Sequence, residues 1–193
     1  MGYTKIGDRV LKDPAYPPAC KLISGRLQRH SAAFKENHPM TGTISSWVGM
    51  ARRTVGPWLA LMVERGLVKR HARDGSRNYV YEIKGLGEGE GYIMLHDDLL
   101  SARVPASIKL MYGALDRLER IKEVVGDGRV ITVREAAGLV GMGKKTAMRA
   151  VRGLVALGWV EFFGEYGYGS SLYYTLRGPG QSCPLGGTNL PIG

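Results

Sequence analysis

Apolar and polar positions along this chain follow two periods, and those periods occur in the same order twice. Apolar residues three and four positions apart predict an amphipathic helix over 19–30 and another after Pro105. In each half a short helix, a longer helix and a two-stranded hairpin are then expected. The longer helices are predicted from Arg52 to Arg65 and from Lys144 to Leu157, with core faces formed by Val55, Leu59, Met62 and Val63 and by Ala147, Val151, Leu154 and Val155.

Short local signals mark where these elements begin and end. Residues 132–135, Thr-Val-Arg-Glu, have the spacing of a capping box, in which a hydroxyl and a carboxylate cover free amides at a helix start. Gly66 and Gly158 stand where a left-handed residue ends a helix, and Asp74-Gly75 is typical of a tight hairpin turn. The expected strands are 68–72 with 78–83 in the first half and 159–163 with 172–176 in the second.

The second half also repeats the first residue by residue. Residues 47–54, Trp-Val-Gly-Met-Ala-Arg-Arg-Thr, return 92 positions later as residues 139–146, Leu-Val-Gly-Met-Gly-Lys-Lys-Thr. Lys21-Leu22 likewise matches Lys109-Leu110. The repeat predicts a first domain over 1–86, a linker over 87–91, a second domain over 92–177 and a flexible tail, rich in Gly and Pro, over 178–193.

Three helices followed by a hairpin resemble the winged-helix family. The residues that carry the likeness are the Gly-Met-x-basic-basic-Thr turn, the long third helix, and the Gly-Leu-Val or Gly-Trp-Val strand with its hairpin. The resemblance covers residues 3–84 and 92–176. It implies an α+β, mostly α fold of two tandem winged helix-turn-helix domains related by internal duplication, with each third helix entering the major groove of DNA.

The net charge of +10 agrees with a nucleic-acid partner. Residues 1–86 hold 15 Lys and Arg against 6 Asp and Glu, whereas residues 87–193 hold 12 against 11. Basic residues that simply remain solvated are the alternative interpretation. The resemblance, together with the basic first hairpin, predicts these DNA-binding residues: Arg52, Arg53, Thr54, Lys69, Arg70, Arg73, Arg77, Lys144, Lys145, Thr146, Arg149 and Arg152.

Two features depart from the family pattern. The residue before each basic pair is usually a capping Ser or Thr, and here it is Ala51 or Gly143. Gly56-Pro57 falls in the first turns of the first recognition helix, where proline removes a backbone hydrogen bond and costs up to ~3 kcal/mol unless the helix kinks. The first helix is therefore expected either to bend or to read bases poorly.

The second hairpin differs in chemistry from the first. It is acidic and aromatic, and no basic residue lies between Arg152 and Arg177. Such a hairpin would repel a DNA backbone, so a protein partner or a dimer contact is predicted there through Phe163, Tyr166 and Tyr168.

The chain offers little that suggests catalysis. Residues 138–145 match part of a phosphate-binding loop, but Lys145 stands where Ser or Thr must bind magnesium. No catalytic residue, cofactor or metal is predicted. Cys20 and Cys183 fit a reducing compartment, and no apolar run is long enough for a membrane span, so a cytoplasmic protein is expected. The histidines, which lack ligand spacing, are His30, His38, His71 and His96.

These observations predict a sequence-specific double-stranded DNA-binding protein in which one chain addresses two half-sites. Tandem winged helices in a small basic chain resemble plasmid and phage replication initiators, which bind repeated origin sites, and residues 186–191 resemble the tails of phage replication-organising proteins. Two alternatives remain open: a transcriptional repressor of a phage or plasmid, and a protein-interaction module that does not bind DNA.

Overall fold

The computed structural model describes residues 2–33, 39–72, 79–83, 90–125 and 131–177, with side chains omitted for 122–125. The fold is α+β and mostly helical, with small antiparallel strand pairs. The first half comprises β1 (Tyr3–Gly7), α1 (Asp8–Lys12), α2 (Pro18–Ala33), α3 (Thr41–Val48), α4 (Arg52–Glu64), β2 (Val68–Ala72) and β3 (Tyr79–Ile83). The second half comprises β4 (Tyr92–His96), α5 (Asp97–Ser101), α6 (Ala106–Val125), β5 (Ile131–Thr132), α7 (Val133–Leu139), α8 (Lys144–Ala156), β6 (Val160–Phe162), β7 (Ser171–Leu172) and β8 (Tyr174–Leu176).

Most of the helix and strand predictions are confirmed, but α2 ends three residues beyond the predicted His30, and the predicted strand over 172–176 is divided at Tyr173 into β7 and β8. Thr132 caps α7 by accepting a hydrogen bond from the Glu135 amide at 3.1 Å. Gly66 and Gly158 adopt φ of +70° and +66°, as the helix-end interpretation requires. The predicted hairpin turn over 73–76, the greater part of the linker and the tail lie outside the described residues.

One predicted core position is wrong. Val155 is 39% exposed, whereas Ala150 is fully buried. The buried face of α8 is formed by Ala147, Ala150, Val151 and Leu154, so it turns one position away from the predicted stripe. A narrow stripe of small residues lets α8 pack closely on α6 and α7, and Val155 then falls on the solvent side. In α4 the prediction holds for Val55, Leu59 and Met62, while Val63 is half-buried.

The two halves join through a pair of strands that the hairpins do not supply. β1 pairs antiparallel with β4, from Tyr3 opposite His96 to Gly7 opposite Tyr92. α2 and α6 pack on this ribbon and on each other. A single cluster of buried apolar side chains runs through both halves. The halves therefore share a core, and whether each one folds alone as a domain stays a prediction.

Two buried lysines fasten the halves together. Lys21 and Lys109 are 1% and 0% exposed. The Lys21 ammonium donates to the Leu11 carbonyl at 2.5 Å and to the Val140 carbonyl at 2.9 Å, so one amine holds the ends of α1 and α7. Lys109 holds the other pair of helix ends in the same way, donating to the Val48 carbonyl at 2.7 Å and the Leu100 carbonyl at 2.6 Å.

An ion pair between the two halves lies at each end of the β1–β4 ribbon. Arg29 donates to Asp97 at 2.5 Å, and Arg117 donates to Asp8. Burial tends to raise the pKa of Asp8, but hydrogen bonds and charge from Arg117 and Lys12 outweigh it and hold that pKa below its ordinary value. Asp8 therefore remains a charged partner at neutral pH.

Removing one buried lysine should destabilise the protein strongly. Lys109→Ala leaves the Val48 and Leu100 carbonyls without their donor, at about 1–3 kcal/mol for each buried group. Urea unfolding should show the loss, whereas Lys145→Ala on the surface should stay within about 0.5 kcal/mol of the wild type. Lys109→Met keeps most of the side-chain volume, so an equally stable Lys109→Met variant would contradict a role for the hydrogen bonds.

The lysine pair should also give stability a distinctive pH dependence. Burial lowers the pKa of Lys21 and of Lys109 to about 8 from an ordinary value of 10.5. Between those values the unfolded chain binds more protons than the folded one, so the lysines contribute more stability as pH rises. Unfolding free energies should therefore rise for the wild type relative to Lys21→Met/Lys109→Met between about pH 8 and 10. A pH-independent difference would contradict this.

Candidate nucleic-acid interface

The first turn of α4 presents basic side chains to solvent. Arg52, Arg53 and Thr54 are all exposed, while Val55 directly after them is buried in the core. The Thr54 hydroxyl donates to the Ala51 carbonyl at 2.7 Å, and that bond fixes the local turn. Recognition helices that enter the major groove likewise expose their first turn while their opposite face is held in the core.

The first turn of α8 has the same arrangement with more charge. Lys144, Lys145 and Thr146 are exposed, and Arg149 and Arg152 continue the basic surface along the helix. The opposite face of α8 is buried against α6 and α7. All five predicted residues of this helix therefore lie on one accessible side.

Neither helix start carries a side-chain cap. The capping positions are Ala51 and Gly143, both in extended conformation and without a side-chain hydrogen bond, in contrast to the capped start of α7. Amides of the first turn have no partner four residues earlier in a helix, and they favour an anion such as a phosphate. Because no side-chain cap occupies them, these amides can attract an anion beside each basic pair.

The proline in α4 does not interrupt the helix, which runs from Arg52 to Glu64 with Pro57 inside it. Gly56 and Pro57 are both exposed. The hydrogen bond that proline removes is the one to the Arg53 carbonyl, four residues earlier on the solvent side. Water can satisfy that carbonyl, which explains how the helix tolerates the proline.

Charges on the first hairpin are partly compensated. Lys69 and His71 both lie 3.3 Å from Glu82 on the neighbouring strand, and Arg70 lies over the Tyr79 ring at 4.3 Å. Hydrogen bonds from His71 and Lys69 lower the pKa of Glu82. Of the four predicted hairpin contacts, Arg70 has an aromatic rather than an acidic partner, Lys69 is ion-paired, and Arg73 and Arg77 lie outside the described residues.

The aromatic residues of the second hairpin divide into two groups. Tyr166 stacks on Phe162 with ring centres 4.7 Å apart, so its ring is engaged within the hairpin. Tyr168 lies beside the start of α8, with the Lys144 ammonium 5.8 Å and the Arg134 guanidinium 5.7 Å from its ring. Phe163 remains 59% exposed and is joined by Tyr173 at 64%. The exposed aromatic pair is therefore Phe163 with Tyr173, not the predicted group of three.

Two basic residues near the helix starts were not predicted from the sequence. Arg134 is exposed and shares the Tyr168 ring with Lys144. Arg103, in the loop before α6, lines a cavity of about 520 Å³ together with Arg52 of the other half. No periodic signal identifies either one, because packing between segments distant in sequence places each near a helix start.

Other candidate chemistry is occupied by structural contacts. The Cys20 thiol is buried beside the Trp58 carbonyl, and burial raises the pKa of this thiol to about 11. The His30 ring packs against Trp47 with centres 5.0 Å apart. Among the described residues, no three His, Cys, Asp or Glu side chains converge as metal ligands, and no helix has the length and hydropathy for a membrane span.

Comparison with protein-family models, with curated proteins and with solved structures gives no match.

Adding a cap to α4 should stabilise the protein. Ala51 already has the φ of −65° and ψ of 137° that suit a capping residue. A serine there can accept a hydrogen bond from a first-turn amide, so Ala51→Ser should raise the unfolding free energy by about 0.5–2 kcal/mol in urea titrations. Ala51→Val, which cannot accept a hydrogen bond, is the control, and an equal gain from valine would contradict capping.

Proposed function

We propose that this protein binds double-stranded DNA in a sequence-specific manner through two winged-helix units. The observation that carries the proposal is the matching geometry of α4 and α8. Each helix begins without a cap, presents an adjacent basic pair and a threonine to solvent, and buries its opposite face. Two such tips in one chain of net charge +10 suit two contacts with a polyanion.

The arrangement of strands supports the winged-helix assignment. In the second half β5 lies between α6 and α7 and pairs with β7, while β8 pairs with β6. A short strand before the second helix that joins the hairpin is typical of a winged-helix unit. In the first half α2, α3, α4 and the β2–β3 hairpin follow one another in the same order.

The side chains at the tips suit two kinds of contact. Arginine can donate two hydrogen bonds to one guanine edge, with discrimination of about 1–3 kcal/mol for a good pair. Lysine and the first-turn amides suit phosphate oxygens. Arg52 and Arg149 are therefore proposed to reach bases, and Lys144 and Lys145 to reach the backbone or bases nearby. The Tyr168 ring, which lies within 6 Å of both Lys144 and Arg134, would orient both cations.

For the biological role we keep replication initiation as the leading hypothesis, since the tandem basic arrangement resembles plasmid and phage initiators. An initiator must hold origin DNA and a protein partner together. The exposed Phe163 and Tyr173 lie on the acidic, aromatic hairpin, where DNA is disfavoured and a protein contact is chemically suited. A transcriptional repressor would use the same DNA-binding surface.

Neutralising either tip should weaken duplex binding and its dependence on salt. A duplex selected from a random pool should bind Arg52→Ala/Arg53→Ala and Lys144→Ala/Lys145→Ala at least tenfold more weakly than the wild type in fluorescence anisotropy. Each lost phosphate contact should reduce the slope of log K against log salt by about 0.9.

The matched control is Arg9→Ala/Arg120→Ala, which removes the same charge outside the predicted interface. Comparable losses in the control would show that net charge alone drives binding. A wild-type protein with no salt-dependent affinity for any duplex would favour the protein-interaction alternative.

A further inference from the structure

The contacts between the two halves are reciprocal. Tyr92 begins β4 as Tyr3 begins β1, and the ladder pairs Tyr3 with His96 and Gly7 with Tyr92. Tyr92 is the counterpart of Tyr3, and His96 is the counterpart of Gly7. Replacing both residues of the Tyr3–His96 pair by their counterparts therefore gives the Tyr92–Gly7 pair. The ribbon is thus unchanged when the halves are interchanged, which is the behaviour of a two-fold interface.

Contacts beyond the strand ladder obey the same exchange. The Asp97 amide donates to the Gly2 carbonyl at 3.1 Å, and the Asp8 amide donates to the Gly91 carbonyl at 2.8 Å. Arg29 bonds Asp97 as Arg117 bonds Asp8. The crossed contacts of the buried lysines form a third set, Lys21 to Val140 and Lys109 to Val48. The reciprocal contacts in the ribbon, at its two ends and at the buried lysines are those of two halves related by a two-fold rotation.

This rotation restricts how two helix tips can meet one DNA duplex. Two readers related by a two-fold axis on a single duplex require half-sites of opposite orientation, as in symmetric dimers. Half-sites repeated in the same orientation require readers related by translation along the duplex. The β1–β4 ribbon and the crossed lysine bonds fix the relation between α4 and α8. The ribbon and the lysine bonds therefore select half-sites of opposite orientation.

We infer that a single chain binds one inverted pair of half-sites on one duplex, with α4 on one half-site and α8 on the other. This inference rests on the proposed DNA binding and adds the organisation of the target. In a symmetric dimer of single-domain proteins, two chains form the interface between the readers. Here the two halves of one chain form it, so one chain is sufficient for both half-sites. The half-site centres are expected about one helical turn, roughly 10 base pairs, apart.

The two half-sites are inferred to be unequal in sequence and in strength. α8 carries five exposed polar or basic side chains and has Arg134 and Tyr168 beside its start. α4 carries Arg52, Arg53 and Thr54, followed by exposed Gly56 and Pro57, which offer no side-chain donor. The target is thus an imperfect inverted repeat whose α8 half-site contributes the greater part of the discrimination.

The test begins with selection of bound sequences from a random duplex pool by the full chain. Three duplexes are then compared by fluorescence anisotropy at one salt concentration: the selected site, the same site with one half-site reversed in place, and the same site with that half-site scrambled. Reversal should weaken binding as much as scrambling, by at least tenfold. Sedimentation of the selected complex should give one chain on one duplex.

Variants at each tip assign the half-sites. Lys144→Ala/Arg149→Ala should relax the preference at one half-site only, and Arg52→Ala/Arg53→Ala at the other, because Arg149 and Arg52 are the proposed base contacts. Equal affinity for the reversed and selected sites, two chains on one site, or one chain joining two duplexes would each overturn the inverted arrangement while leaving DNA binding intact. No salt-dependent affinity for any duplex would overturn the proposed function, and this inference with it.

Discussion

Among the described residues, four helices end in the protein interior, and the need to satisfy the hydrogen bonds of their last-turn carbonyl groups constrains the rest of the structure. The ends of α1 and α7 meet at one place and those of α3 and α5 at another, away from water. A buried carbonyl without a donor costs free energy comparable to a lost hydrogen bond. Lys21 and Lys109 each satisfy two such carbonyls, one from their own half and one from the other. Each amine makes two hydrogen bonds, the number that even an uncharged amine can donate.

The same junctions account for two glycines. Gly49 and Gly141 follow α3 and α7 with φ of +60° and +59°, a conformation that glycine adopts without strain. A side chain at Gly141 would also meet the Leu11 carbonyl at 2.8 Å and the Lys12 carbonyl at 2.9 Å. Close approach of the backbones lets each lysine reach two helix ends. Since these turns lead directly into α4 and α8, the crossed junctions also orient both basic tips.

On this nearly symmetric frame the surface chemistry differs between halves. The first hairpin carries Lys69, Arg70 and His71 with Glu82, whereas the second carries exposed Phe163 and Tyr173 and an ion pair between Arg177 and Glu161. Packing constrains the buried side chains of both halves in the same way. It does not constrain exposed side chains, so these can differ between the halves. Under the proposed function, this frame holds DNA with both helix tips and offers a different surface to a protein partner.

The sequence by itself determined the helices, the hairpins and the exposed position of Arg52, Arg53, Lys144 and Lys145, because these follow from local periodicity and short signals. Only the tertiary structure decided the roles of Lys21 and Lys109, which a polar pattern would place in solvent and whose carbonyl partners lie up to 119 positions away. It likewise decided that Glu82 compensates Lys69, that Arg103 and Arg52 line one cavity, and that Val155 faces water. Periodicity reports which face of a helix or strand is apolar. The segment that covers this face, and the charged residues that lie beside it, are set by contacts between segments distant in sequence.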